Sequence, residues 1–242
     1  RQILISQYLD KKTKQIDSLI EKIEKKIELL KEQKTALINQ YVTKGVEPNV
    51  EKKDSGIEWI GEIPKHWEIK KISHILDFSG SGTTPKSDLT EYYEDGKINW
   101  LITGDLNDNE IHSTTKKITS KAVKDYSTLK SYSIDSLVIA MYGATIGKLG
   151  LLKTISTVNQ ACFVMKMDKS NDVKFWFYSF LGNRQYLISL AYGGGQPNIS
   201  QDTIKGLRLP SPPTRSEQNK IAIKLKELCM HINDLIEKNF KK

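Results

Sequence analysis

Cysteine is nearly missing from this chain. Cys162 and Cys229 are the only two in 242 residues, one in an apolar run and one in a C-terminal helical pattern. With no CxxC pair and no Cys/His cluster, the usual zinc signatures are ruled out, and a reduced cytosolic setting is the simplest reading. Histidine is as sparse. His66, His74, His112 and His231 are scattered, and no two of them stand at the spacing of a metal-binding or catalytic motif. No apolar run approaches the roughly 18 residues of a membrane span, and no signal-peptide pattern opens the chain. Without secretion, the sequon match Asn198-Ile199-Ser200 carries nothing. The chain opens on Arg1 rather than Met, as a chain that starts inside a longer one does.

Signatures of catalysis are missing as well. Gly143-Ala-Thr-Ile-Gly147-Lys148-Leu149 imitates a phosphate loop but has one residue too few between its glycines and Leu149 where a hydroxyl is needed. It reads better as a glycine-rich hairpin, with Lys148 on a DNA phosphate as a further possibility. Asp105, Asp108 and Glu110 fail the EF-hand pattern and read as a solvated turn. There is no Gly-x-Ser-x-Gly elbow and no Asn/Asp-Pro-Pro-Tyr/Phe motif of an adenine methyltransferase. The expectation is a chain without enzymatic activity that binds no metal and no cofactor.

What is present is charge and repetition. Net charge is +8 and the pI about 9.2, which permits nucleic-acid binding without proving it. Gln2, Ile5, Leu9, Ile16, Leu19, Ile20, Glu21 and Lys22 recur as Gln218, Ile221, Leu225, Ile232, Leu235, Ile236, Glu237 and Lys238, at a constant offset of 216. Stacked repeats adjoin at roughly 20–50 residues; this spacing instead places one helical element on each side of a globular insert. In residues 1–45, Leu9, Ile16, Ile23, Leu30 and Leu37 form one heptad line and Ile20, Ile27 and Tyr41 a second, broken by Lys34. The pattern predicts a helix about 50 Å long that needs a partner. Residues 214–242, with Ser216 as N-cap, predict that partner. Ile16, Ile20, Ile23, Ile27, Leu30 and Leu37 should pair with Ile221, Leu225, Leu228, Ile232 and Leu235, within the chain or across a dimer.

Between the helices, 46–56 reads as a charged linker and 57–213 as a mixed α/β domain. Strands are predicted at 98–102, 136–142, 158–167 and 204–209, and helices at 120–126 and 174–191. Three loops rich in glycine and polar residues stand out. Ser79, Ser81, Thr83, Thr84 and Lys86 lie in the first, Tyr142, Thr145 and Lys148 in the second, and Gln196, Asn198, Ser200 and Gln201 in the third. Amides read adenine edges, hydroxyls reach bases or phosphates, and lysine binds phosphate. The expectation is that the three loops share one face, with Lys86 and Lys148 on phosphates and Gln196 and Asn198 on bases.

Ile57-Glu-Trp-Ile-Gly-Glu-Ile-Pro-Lys-His-Trp-Glu68 resembles the entry to a target recognition domain of type I restriction–modification specificity (S) subunits. Leu30-Lys-Glu-Gln-Lys-Thr-Ala-Leu-Ile-Asn-Gln-Tyr-Val-Thr-Lys-Gly45 is similar to the end of that family's conserved helix. Gly82-Thr-Thr-Pro85, Val158-Asn-Gln160 and Leu209-Pro-Ser-Pro-Pro213 with Glu217-Gln218 fit in the same order. The resemblance implies an α+β fold, with the domain flanked by two long helices in an antiparallel coiled coil. It implies a non-catalytic, cytoplasmic prokaryotic protein that reads half of a bipartite site on double-stranded DNA and scaffolds methyltransferase (M) subunits. S-adenosylmethionine would belong to the M subunits and ATP to the restriction subunits of the full complex. A family S subunit has two such halves. This chain has one recognition domain and resembles either a second half with its central helix or a half-length subunit, with homodimerisation open and no membrane partner. A coiled-coil interaction or regulatory half-subunit without DNA binding of its own is the alternative.

Overall fold

The computed structural model describes residues 2–240 except Gly194 and Gln196, and excludes the side chain of Leu4. It begins with one helix, α1 (Gln2–Lys44), a run without proline or glycine. Gly45, at φ +74°, ends it in the left-handed geometry common just past a helix C-terminus. A Cβ there would lie 3.2 Å from the Trp67 ring, so the exit is also sterically tight. The expected linker 46–56 already belongs to the domain, because β1 (Lys52–Asp54) pairs antiparallel with β2 (Glu62–Pro64).

After β3 (Glu68–Lys71) and β4 (Leu76–Gly80) come β5 (Ile98–Leu101), β6 (Asn109–Ile111) and β7 (Lys116–Ile118). Helix α2 (Ser120–Asp125) is capped by Thr119, whose side chain accepts from the Ala122 amide. Next are β8 (Leu137–Ala140), β9 (Leu149–Leu152), β10 (Thr157–Val158) and β11 (Cys162–Met167). The central sheet has the order β4-β11-β8-β9-β6, antiparallel throughout except for the parallel β6–β9 pair. A smaller sheet, β10-β5-β7, carries part of a core of Tyr92, Trp100, Ile118, Ala122 and Leu129. Along β11, Cys162 and Val164 enter one core while Phe163 and Met165 enter another. Both faces of the inner strands β8, β9 and β11 are buried, so these three read as nearly unbroken apolar runs, whereas the edge strands β4 and β6 keep exposed residues.

Helices α3 (Val173–Gly182), α4 (Arg184–Ser189) and α5 (Gln201–Gly206), then β12 (Arg208–Ser211) and α6 (Arg215–Phe240), complete the order. β12 pairs with β3. The helix predicted at 174–191 is two helices. Gly182 lies against α1, where a Cβ would come 3.2 Å from the Asn39 Cα, and Asn183 then leaves helical geometry at ψ 13°. The strand predicted at 204–209 begins as α5, because Ser200 Oγ accepts the Thr203 amide at 3.0 Å and nucleates a turn of helix. The strand predicted at 158–167 is interrupted at Asn159-Gln160-Ala161. Thr214, not Ser216, caps α6, its Oγ1 accepting the Glu217 amide at 3.3 Å.

α6 runs antiparallel to α1, with Lys34 Nζ donating to Asn233 Oδ1 at 2.9 Å. Ile221, Leu225 and Ile232 are buried, and Leu228 and Leu235 half-buried. On α1, Ile27, Ile38 and Val42 are buried and Ile23, Leu30 and Leu37 half-buried. The contact slides from the heptad line onto Ile38 and Val42, because a straight helix of 3.6 residues per turn drifts off a strict seven-residue repeat. Ile16 (57% exposed) and Ile20 (48%) fall outside the pairing within this chain. Among the described residues, α6 does not reach them. Phe240, where the described part of α6 stops, lies as far beyond Asn233 as Ile27 lies before Lys34.

The start of α6 is locked to the domain by Gln218, which is 1% exposed. Its Oε1 accepts the Asp172 amide at 2.7 Å, and its Nε2 donates to Asn171 Oδ1 and Ser211 Oγ, both at 3.2 Å. Asp172 in turn caps α3. Beside it, Trp67 Nε1 donates to Glu217 Oε1 at 2.8 Å. Each buried polar group here has a partner, as burial in low dielectric requires.

A candidate nucleic-acid interface

The first loop leaves β4 in extended form and is held by its backbone. Tyr132 Oη donates to the Ser81 carbonyl (2.8 Å), Trp100 Nε1 to the Thr83 carbonyl (3.2 Å), and Tyr93 Oη to the Pro85 carbonyl. The Lys86 amide donates to Tyr126 Oη (3.1 Å). Burial pushes the Tyr132 phenol above its ordinary range, and burial, then Tyr126 and Asp88, do the same for Tyr93. Both therefore stay protonated donors at neutral pH. Gly82 makes the approach possible. Its amide donates to the Asn159 carbonyl (3.3 Å), and a Cβ in its place would lie 1.8 Å from the Val158 carbonyl oxygen. The side chains of Thr84 and Lys86 remain exposed.

The second loop is the turn between β8 and β9. Gly143 (φ +65°) and Gly147 (φ +76°) supply its left-handed positions. The third folds over it: Tyr192 and Asn198 exchange backbone hydrogen bonds at 3.0 and 2.9 Å, and the Gly143 amide donates to the Pro197 carbonyl at 3.0 Å. Tyr142 bridges Asn198. Gln201 Nε2 donates to Ser81 Oγ at 2.9 Å, which joins the third loop to the first. The structure thus brings the three loops together through direct hydrogen bonds.

Individual side chains sort differently from their expected roles. Ser200 Oγ is committed to the Thr203 amide and hydroxyl, so it caps α5. Thr145 Oγ1 donates to the Tyr142 carbonyl at 3.3 Å within its own turn. Asn198 Oδ1 is buried without a protein partner among the described residues, so this amide does not present both its donor and its acceptor to a base. Gln196 lies outside the described residues. Ser81, Thr83, Tyr142 and Lys148 are partly exposed, as a contact surface needs.

Asp105 and Asp108 are not the solvated turn expected, whereas Glu110 stays exposed on β6. Asp105 accepts the Ile102 and Thr115 amides, both at 3.0 Å. Asp108, at φ +58°, accepts the Leu149 amide at 3.0 Å and pairs in two-pronged fashion with Arg184. The pair ties α4 to the base of the second loop, where a Cβ on Gly147 would touch Arg184 Cγ at 3.3 Å. Sequence reasoning passed over Gln160, which stands exposed at the apex of the turn that Gly82 packs on. Its signal was the Val158-Asn-Gln160 motif. A groove of about 960 Å³ between α1, α3 and α6 reaches Asp108 and Arg184 but is lined by none of the three loops. Among the described residues no group of His, Cys, Asp and Glu could hold a metal ion, and no helix is long and apolar enough to cross a membrane.

The chain is similar to proteins of one kind. Residues 64–241 match the model of the type I restriction modification DNA specificity domain. The MjaIX specificity subunit of a type I restriction enzyme from Methanocaldococcus jannaschii is 33% identical over 184 residues, 74% of this chain and 40% of that protein. The MjaVIII specificity subunit from the same organism is 30% identical over 232 residues, 91% of this chain and 51% of that protein. Among solved structures, the HsdS subunit from Thermoanaerobacter tengcongensis shares the fold, with a TM-score of 0.62 at 13% identity over 93% of this chain and 49% of that one. The chain spans about half the length of these relatives. On the extent of the family match and the identity to the specificity subunits, this chain belongs to the type I restriction–modification DNA specificity family.

Proposed function

We propose that the chain is the DNA-reading and assembly half of a type I restriction–modification specificity subunit. Its domain binds double-stranded DNA and reads one half of a bipartite site. Its helices scaffold M subunits, which carry S-adenosylmethionine and methylate adenine, while restriction subunits with ATP join in the full complex. It contributes no catalytic group and works in the prokaryotic cytoplasm. The observation that supports this best is the convergence of three polar, glycine-rich loops, the first of which has its backbone anchored by four aromatic side chains. Such anchoring leaves hydroxyls, amides and ammonium groups to face a duplex at little entropic cost.

The seam on the first half of α1 supports the assembly role. Ile5, Leu9 and Ile16 are exposed, yet their repeat counterparts Ile221, Leu225 and Ile232 are buried. Two copies pairing through this seam about a two-fold axis would set two identical domains apart and read an inverted repeat. Methylome mapping of cells that express the chain with a matching M subunit tests the reading. A methylated motif supports it. Assembly with the M subunit but no sequence-specific DNA retention would favour the regulatory half-subunit instead.

A further inference from the structure

We infer that Arg208 and Lys71 form a phosphate clamp that carries the DNA interface from the loops onto the ribbon of β3 and β12, an inference that rests on the DNA-reading function proposed above. The two residues stand directly opposite each other in the antiparallel register. Such residues share one face, with Cβ atoms about 4.5–5.5 Å apart, and like charges in that position repel. Neither cation has an ion pair or a side-chain hydrogen bond among the described residues. Asp202 of α5 faces Lys205 instead, at 3.5 Å. The backbone holds the two charges together. The Ile72 amide donates to the Leu207 carbonyl at 2.9 Å, and Leu209, the residue after Arg208, is fully buried. Arg208 is exposed and Lys71 half-buried. A Cβ on nearby Gly206 would meet nothing within 4 Å, so the approach on that side is open.

The pair sits at the end of the ribbon that leads to the loops. At the other end Ser211 stands opposite Glu68, and the chain continues through Pro212 and Pro213 into α6. Lys71, by contrast, continues through one turn (Ile72–His74) into β4 and the first loop. Arg208 follows α5, whose first residue Gln201 donates to Ser81 Oγ in that same loop. The six residues of α5 span about 9 Å, or roughly two to three steps along one strand of a duplex. An anion placed between Arg208 and Lys71 removes their repulsion. The guanidinium grips a phosphate in two-pronged fashion and the ammonium adds a point charge. Neither group reads a base there, so the clamp sets affinity and register, not sequence.

The test uses the chain with the M subunit bound, titrated with cognate and scrambled duplexes across salt, for wild type, Arg208→Ala, Lys71→Ala and Arg208→Glu. Each alanine variant should weaken both duplexes by the same factor, lower the log–log salt slope by about one and leave the selected motif unchanged. Arg208→Glu gives Lys71 a partner inside the ribbon. Its melting temperature should rise above wild type while its duplex binding falls below that of Arg208→Ala. A residue that only held the fold would move both the same way. Lys71→Ala carries the test if Arg208→Glu does not fold. An unchanged salt slope in the alanine variants, or a loss confined to the cognate duplex, overturns the clamp alone while wild type still selects a motif. Loss of M-subunit retention at an unchanged salt slope overturns it too, and assigns the pair to an acidic protein surface. A wild-type chain that selects no motif overturns the DNA-reading function and the clamp with it.

Discussion

Gln218 shows at the scale of one residue why a polar side chain is buried. Its amide satisfies the N-terminal amide of α3 and bridges to Asn171 and Ser211, so α3, β12 and α6 meet on one side chain. Gln218→Ala leaves those groups unpaired in a dry site. Denaturant unfolding should show a loss of about 1–3 kcal/mol; an unchanged midpoint would remove Gln218 from the stabilising network. Gly82 is the opposite case, valuable for what it lacks. Gly82→Ala drives a methyl into the Val158 carbonyl, so the first loop must lift off its turn. DNA retention should fall while far-UV circular dichroism stays as in wild type. Cys162 is fully buried and its thiol is pushed far above the ordinary range, first by burial and then by Asp105. Thiol reagents should leave it unmodified until the protein is unfolded, and labelling in native buffer, read by mass spectrometry, would contradict that burial.

At the scale of elements, α1 divides into two halves with different work. The half from Ile23 to Val42 packs on α6, α3 and the domain, and the half before it carries a bare apolar seam. Ile27→Asp buries an unpaired charge and should cost several kcal/mol, about the size of the large class of core defects. Ile16→Asp should change the stability of the isolated chain by no more than about 0.5 kcal/mol, yet weaken its self-association. Paired melting and light-scattering measurements separate the two. Equal destabilisation by both would mean that the seam is covered within one chain.

For the whole molecule, the proposed function makes the assembled loops a reading unit and the seam part of its spacer. Lys148 stands in the second loop, where under the proposed function its ammonium would meet a phosphate without regard to sequence. Lys148→Ala should weaken cognate and scrambled duplexes alike and lower the log–log salt slope by about one. The check is a pair of titrations across salt with the M subunit present. A loss confined to the cognate duplex would reassign Lys148 to base contact.

The sequence by itself determined the order helix, domain, helix. A repeat at constant offset and a run free of Pro and Gly are local patterns that need no third dimension. It also marked the three loops, because glycine and small polar residues announce turns through their own backbone freedom. What it could not decide was where partners lie across space. The heptad marked Ile16 and Ile20 as equal to Ile27, and only the reach of α6 against α1 separates them. Asp108 looked solvated until folding placed Arg184, from a distant helix, on its carboxylate. Asn198 and Ser200 have the chemistry of base readers. Their neighbours turn the Asn198 oxygen inward and commit the Ser200 hydroxyl to a helix cap. A hydrogen bond commits an atom only when its partner arrives, and for these side chains the partner arrives through tertiary structure.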